Sequence, residues 1–519
     1  MTRSLLVGAV LVLSLAPVAG APDDEFVRVA EDYWSFVTSE SGTRFIPFGT
    51  NFLLNEKRFL NLFCPEVYDA ERYERALIAL EQLGFNVVKV FLPIAQVLPD
   101  PQTPGEVHIA PGYLDNLEHF LGLAHKHHFR AVVSLASWGG NTIKWWHEGG
   151  QYFGRKPWRT DDGIDSLDVL VRFWTAVGDR FRDNPTIFAY TPAVEWSFPA
   201  GNLTWTPPDK QYGRLESEQG LFYWRAFLRA RYDGEVAKLN AAYGTEYASF
   251  DQVPIVDYTY DAKARKYADP DAKILDYQAF REWSSMRYLR PQIEAIRRAD
   301  PNHMVTISNH GRQPIGLWEG AARYFMGFSV PEQSDLVDYL TTHENHTQSE
   351  LKPGQSIDTV VRGAVLRVRF CNAARMLPLV IEEMTFGSPD PQQVADAQEK
   401  LTLGTVGHAA GWMNWYLQFP SDANEADLQG TDRSAILDDN FAPTPWGLRA
   451  QDLIWRLAQM DLSRQGARTV FDVDRTKCLV PREWGPELVI VRDWDKYEHP
   501  IDFRWPCNEW INLKLVEER

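Results

Sequence analysis

Only four cysteines, Cys64, Cys371, Cys478 and Cys507, occur in 519 residues, and no two of them form a Cys-x-x-Cys pair. A structural zinc site of that kind is thereby excluded, and no strand end gathers the His and Asp residues that a catalytic metal would require. No cofactor is expected. Basic residues are also in deficit, 53 Lys and Arg against 70 Asp and Glu, for a net charge of -17. A field of that sign repels phosphate backbones and acidic lipids, which excludes nucleic acid and anionic membrane surfaces as partners. After the N-terminus, Arg, Asp or Glu interrupts every apolar stretch, so no membrane span is expected there. Internal repeats and low-complexity segments are absent too, which excludes solenoid architectures.

What is present is a large apolar inventory, 45% hydrophobic and 13% aromatic, ample for a core of barrel size with a smaller unit attached. The 19 tryptophans serve either as core or as flat faces that stack on the C–H surface of sugar rings. The opening residues place Arg3 before an apolar run too short to span a bilayer, followed by Ala19, Gly20 and Ala21. Residues 1–21 therefore read as a secretory signal, with an uncleaved anchor as the alternative; Pro22 disfavours cutting directly after Ala21 and moves the site a residue or two earlier. Export to an extracellular or periplasmic location follows, with no membrane association once the signal is removed. In that setting Cys478 and Cys507 could form a bridge, or all four cysteines could stay as buried thiols.

From Arg44 to Met460 short β-rich runs alternate with longer amphipathic stretches, the pattern of repeated βα units around a parallel sheet. Eight strands are expected: Phe45–Gly49, Asn86–Phe91, Arg130–Leu135, Thr186–Tyr190, Met304–Ser308, Leu336–Leu340, Leu379–Glu383 and Gly411–Leu417. Between them apolar residues recur at helical spacing, as in Tyr73, Leu77, Leu80 and Leu83, or Val361, Val365, Val368 and Cys371. The fold class predicted is α/β, a (β/α)8 TIM barrel over residues 25–462, with reactive groups at the C-terminal ends of its strands. A long insertion follows strand four, from about Phe198 to Asn302, with helices expected over Gly220–Arg231 and Lys273–Arg298. Residues 463–519 change to short alternating runs and read as a small β-rich domain.

Two strand ends carry carboxylates. TPAVEW sets Glu195 just beyond strand four, and PLVIEEMTFG ends strand seven in Glu382 and Glu383, of which alternation allows only one to face the barrel mouth. A carboxylate beside a core must be paired, hydrated or functional. Opposed strands four and seven can present one carboxyl each across the mouth. That is what glycoside cleavage with retention requires of two carboxyl groups about 5–5.5 Å apart.

These residues carry a family resemblance. The chain resembles the clan A glycoside hydrolases, most closely the family 5 mannanases and cellulases, with family 42 β-galactosidase features. PLVIEEMTFG resembles the strand-seven motif whose second glutamate is the nucleophile, which implies that role for Glu383. TPAVEW stands where the strand-four Asn-Glu motif lies, which implies the acid/base role for Glu195, with Val194 in place of the asparagine. LNAAYGTEYASFDQVPI, Leu239 to Ile255, is similar to the family 42 segment that follows strand four. GFNVVKVFLP puts Lys89 where an arginine usually stands near the nucleophile, His343 matches a strand-six histidine, and Trp415 a strand-eight tryptophan that floors the sugar subsite. Asn309, just past strand five, is a further substrate-binding candidate. Trp138, Trp145, Trp146 and Trp196 are candidate cleft aromatics from their loop positions.

The resemblance implies a secreted retaining β-glycosidase acting on a β-mannan, β-glucan or β-galactoside. Val194 and Lys89 keep open a second reading, a carbohydrate-binding protein on the same barrel without turnover. The run His125, Lys126, His127, His128 ends the helix before strand three, on the face away from the expected site, where a helix dipole favours imidazoles without any metal. Asn202-Leu-Thr and Asn345-His-Thr fit the glycosylation sequon.

Overall fold

The computed structural model describes residues 24–55, 62–136, 166–195, 218–254, 260–261, 266–267, 272–309, 335–347, 356–358, 361, 364–365, 368, 377–419, 434–460, 462, 469–473, 501–504 and 510–518. Near the N-terminus, β1 (Val27–Val29), β2 (Phe36–Thr38) and β3 (Arg44–Phe45) form a small antiparallel sheet. Eight parallel strands follow: β4 (Phe48–Asn51), β5 (Val87–Pro93), β6 (Arg130–Ala136), β7 (Ile187–Thr191), β8 (Met304–Val305), β9 (Leu340–Thr347), β10 (Leu379–Gly387) and β11 (Gly411–Asn414). Their order in the sheet is β8-β7-β6-β5-β4-β11-β10-β9, so β8 and β9 are its two edges.

The edges meet. Asp338 N–H donates to Val305 O at 2.9 Å, Thr306 Oγ1 to Tyr339 O at 2.7 Å and Thr341 Oγ1 to Ile307 O at 2.7 Å. Threonine hydroxyls thus satisfy backbone carbonyls along a seam where the ladder itself is thin, and the sheet curls into a TIM-barrel-like cylinder. Strands β5 and β6 are buried along their whole length, as expected of parallel strands covered on both faces. Outside them pack α1 (Ala70–Gln82), α2 (Tyr113–Lys126) and α3 (Ser166–Phe181). Helix α1 is started by Asp69, whose side chain accepts from Arg72 N–H, and it buries Tyr73, Leu77 and Leu80 as their spacing predicts.

Alternation along β5 sorts the barrel interior into layers. Val87 joins Val132, Phe188, Val380 and Met413 at the N-terminal end, closed off by Phe36 and Phe45 of the small sheet. Phe36 meets Phe188 edge-on at 5.1 Å, and burying such a ring contributes about 1.5–3 kcal/mol. Phe91 belongs to an upper cluster with Leu53, Ala136, Val194 and Tyr416. Lys89 lies between these two apolar layers, at the height where the chemistry sits.

The insertion between β7 and β8 contains α4 (Glu218–Arg231), α5 (Val236–Tyr243) and the 28-residue α6 (Ala272–Ala299). Asp276 of α6 ties them together, accepting from Tyr232 at 2.6 Å and Tyr243 at 2.8 Å beside the Arg231 guanidinium. Two helices, α7 (Pro391–Gly404) and α8 (Pro445–Ala458), flank β11 in sequence. Finally β12 (Thr469–Val473), β13 (Ile501–Arg504) and β14 (Trp510–Glu518) form an antiparallel sheet with β14 in the middle. Among the described residues no helix is long and apolar enough to cross a membrane. The expected signal segment, residues 1–21, lies outside the described residues, as do Cys371, Cys478, Cys507 and Asn202.

Five strands differ from expectation: the fifth ends at Val305 and leaves Ser308 in an isolated bridge to Val194, and four others change for local reasons. Pro47 has no N–H to give a ladder, so Arg44–Phe45 pairs in the small sheet and the barrel strand begins at Phe48. The sixth strand begins at Leu340, where it was expected to end, and runs through the polar TTHENHT. Its partner, the seventh strand, is drawn out to Gly387 by the same pairing. The eighth strand stops at Asn414 because the chain turns at Tyr416, whose φ is 139°. The histidine run behaves as surface residues do: His127 bonds Glu81 at 2.9 Å and Glu74 at 3.3 Å across α1.

Candidate active site

Five ionisable side chains converge inside the C-terminal half of the barrel: Lys89 from β5, Glu195 just after β7, His343 from β9, and Glu382 with Glu383 from β10. Alternation would allow only one of the two adjacent glutamates to face inward, and here that expectation fails. Thr342 pairs with Ile381 and His343 with Glu383, so Glu382 is an extra residue in a β-bulge. A bulge turns two consecutive side chains toward one side. Lys89 Nζ accordingly lies 2.9 Å from Glu382 Oε2 and 3.2 Å from Glu383 Oε1.

Glu195 is held by backbone. Val194 bridges Ser308, and Glu195 N–H donates to Ser308 O at 2.8 Å, which continues the β7-to-β8 pairing beyond the formal strand ends. The residue has φ of 47°, a left-handed conformation that costs a non-glycine residue about 1–2 kcal/mol. Strain of this size at a strand end re-aims a side chain. Here the carboxylate, 22% exposed, accepts from His343 Nδ1 at 2.9 Å.

His343 links the whole group. Its Nδ1 lies 3.1 Å from Glu383 Oε2, and its Nε2 lies 2.9 Å from Ser308 Oγ and 3.7 Å from Glu382 Oε2. Ser308 Oγ also accepts from Lys89 Nζ at 2.7 Å. Burial works against charge on His343, but Glu383, Glu195 and Glu382 around it outweigh that and raise its pKa to about 9. Both ring nitrogens then carry protons and donate. Burial would likewise raise Glu382, yet Lys89, His343 and Ser308 hold it down at about 2. Glu383 is raised, by burial and by the neighbouring Glu195 and Glu382 charges, against the pull of His343 and Lys89.

Charge balance assigns the states. Two cations, Lys89 and His343, face three carboxyl groups, of which Glu382 is ionised. In a neutral cluster the two cations then leave room for one further carboxylate charge, on Glu195 or on Glu383. One carboxylate oxygen each of Glu195 and Glu383 and a ring nitrogen of His343 all lie within 4.8 Å of one another. Such a trio could suit a metal ion by distance alone, but the ammonium of Lys89 and the imidazolium of His343 already supply positive charge there. The 4.8 Å is an upper bound on one oxygen-to-oxygen distance, within reach of the about 5–5.5 Å between carboxyl groups of retaining glycosidases and short beside the about 6.5–9.5 Å of inverting ones.

Of the remaining sequence candidates, Trp415 is half-buried at the upper rim, its ring 6.1 Å from Phe91 and edge-on to it. Asn309 is fully buried, and its main-chain N–H donates to Thr341 Oγ1 at 2.8 Å, so it belongs to the seam. Trp138, Trp145, Trp146 and Trp196 lie outside the described residues. Three participants escaped sequence reasoning. Glu382 was set aside by alternation, Ser308 is an ordinary strand serine, and Asn345 read as a sequon. In the fold the Asn345 amide donates to Glu383 Oε2 at 3.2 Å. The polar run TTHENHT was the available signal, since such a run in a barrel strand implies a polar interior.

Lys89 is the shared counter-ion of two buried carboxylates, and removing it tests the cluster. Lys89→Met is expected to destabilise the fold by about 3–5 kcal/mol at neutral pH, the cost of leaving buried charge unpaired. Thermal melting in parallel at mildly acid pH should show a smaller loss, because the carboxyls then take up protons. An unchanged melting temperature at both pH values contradicts the ion pair.

The comparisons with known proteins bear on part of the chain and on its fold. The family Glyco_hydro_42, described as beta-galactosidase, matches residues 168–356, a span that includes Glu195 and His343 and stops before Glu383. Residues 168–356 thus carry a match to a glycoside hydrolase family, on a TIM-barrel-like fold that solved glycoside hydrolases share. No curated protein sequence matches the chain. Among solved structures it is similar to a GH5_18 variant from Streptomyces cattleya in complex with Manβ1-4GlcNAc, at TM-score 0.54 and 12% identity over 82% of this chain and 84% of that one. A β-galactosidase from the haloarchaeon Halorubrum lacusprofundi aligns at TM-score 0.56 and 16% identity, over 82% of this chain and 60% of that one. The catalytic domain of a β-amylase from Paenibacillus polymyxa aligns at TM-score 0.57 and 13% identity, over 80% and 99%. At such identities the likeness is one of fold, and it spans enzymes named for different sugars.

Proposed function

We propose that the chain is an exported retaining β-glycosidase that cleaves a β-galactoside or β-mannoside by double displacement. The observation that carries this reading is the pair Glu195 and Glu383, from opposed strands, with carboxylate oxygens within 4.8 Å of each other. In the reactive form the shared proton resides on Glu195. Ionised Glu383 attacks the anomeric carbon while Glu195 protonates the departing oxygen, so one C–O bond forms as the glycosidic one breaks. Glu195, now a carboxylate, takes a proton from water, whose oxygen attacks the same carbon and releases Glu383.

Lys89, His343 and Asn345 supply the cations and the amide that ionised Glu383 needs in a buried place. Galacto- and manno-configured sugars are favoured by the family match and by the relatives' printed names and ligand. Export rests on the N-terminal sequence alone. Hydrolysis of aryl β-glycosides in galacto, manno and gluco configuration is the test, with turnover of at least one expected. Binding of these sugars without any turnover would instead support the carbohydrate-binding reading that Val194 motivates.

A further inference from the structure

Glu382 has no task in the double displacement, yet it is the most deeply held acid of the cluster. Its side chain is 1% exposed, it sits closer to Lys89 than Glu383 does, and a β-bulge turns it inward. Its Oε1 makes no hydrogen bond among the described residues. A buried ion pair is weak support for stability, because well-packed apolar residues usually serve as well or better. An unsatisfied buried carboxylate oxygen adds to the cost and calls for a reason other than packing.

The groups facing Glu382 come from several strands. Lys89 lies on β5, Ser308 beyond β8, Tyr339 and His343 on the β9 side, and Glu383 beside it, with Glu195 reached through His343. Resting on the retaining reading, we infer that Glu382 is a positioning residue, a fixed negative charge that occupies Lys89 and so leaves Glu195 and Glu383 to share one proton. Without it, the ammonium would act on Glu383 alone and would hold that carboxyl ionised to lower pH. His343 would lose one of its three acidic neighbours and release its proton at lower pH as well. Removing a negative charge favours deprotonation of every neighbour, so all of these shifts have one sign.

The test is Glu382→Gln, which keeps shape and removes charge, with Glu382→Asp as the conservative control. Both limbs of the kcat/KM profile against pH are expected to move toward acid by about 1 unit in Glu382→Gln and to return toward wild type in Glu382→Asp. A fall in rate with both limbs unmoved would reduce Glu382 to a packing role and overturn the inference. Titration of His343 by imidazole NMR, assigned with His343→Gln, gives a readout that needs no turnover. His343 should titrate near 9 in wild type and lower in Glu382→Gln; a wild-type value near the ordinary 6.5 overturns the inference even if the Glu382 variants fail to fold. Absence of hydrolysis by wild type with the NMR shift intact would count against the glycosidase reading alone.

Discussion

Replacing Glu383 with alanine is expected to lower kcat on the order of 10⁴-fold or more, because the glycosyl-enzyme bond can no longer form. The loss should be general across substrates, whatever the leaving group. Azide is expected to restore part of the rate, by entering the space of the missing carboxylate and attacking the anomeric carbon from that face. The product would be an α-glycosyl azide, since azide attacks opposite the departing β-oxygen, which Glu195 remains to protonate. Full activity in Glu383→Ala, with loss in Glu382→Ala, would move the nucleophile by one residue. The bulge makes that alternative worth testing, because it brings both carboxylates to Lys89.

Glu195→Gln has a different signature. Loss of general acid and base catalysis costs about 10²- to 10⁴-fold, but the first step should suffer only where the leaving oxygen needs a proton. Alkyl and sugar leaving groups are expected to lose the most, while aryl groups of low pKa still depart and the glycosyl-enzyme accumulates with a burst. Azide should then intercept it and give a β-glycosyl azide, the opposite anomer from Glu383→Ala. Equal loss on aryl and alkyl substrates would contradict the assignment. The positive φ of Glu195 bears on the choice of variant, because any non-glycine residue there keeps the strained backbone and glutamine changes only the charge.

The barrel was legible in the sequence wherever strands are apolar. Val87–Pro93 and Arg130–Ala136 lie within a residue or two of the expected runs, and so do the helices that bury Tyr73, Leu77 and Leu80. It was illegible where the interior is polar. The sixth strand was expected over Leu336–Leu340 and lies at Leu340–Thr347, because the hydroxyls, imidazole and amide there serve the seam and the site in place of an apolar core. Glu383 and Glu195 could be found because carboxylates closing apolar strands conflict with their surroundings. The status of Glu382 could not be found, since a bulge depends on pairing between strands distant in sequence, and no single strand records it. Asn345 was hidden for a similar reason. A sequon pattern describes neighbours along the chain, whereas its partner Glu383 lies on the next strand.

Retention by the proposed pair Glu195 and Glu383 is read from the anomeric configuration of the first-formed product. Proton NMR in the earliest minutes of turnover, before mutarotation, should show the β-anomer of the released sugar accumulating ahead of the α-anomer. Early accumulation of the α-anomer would mean direct displacement by water and would rule out the glycosyl-enzyme at Glu383.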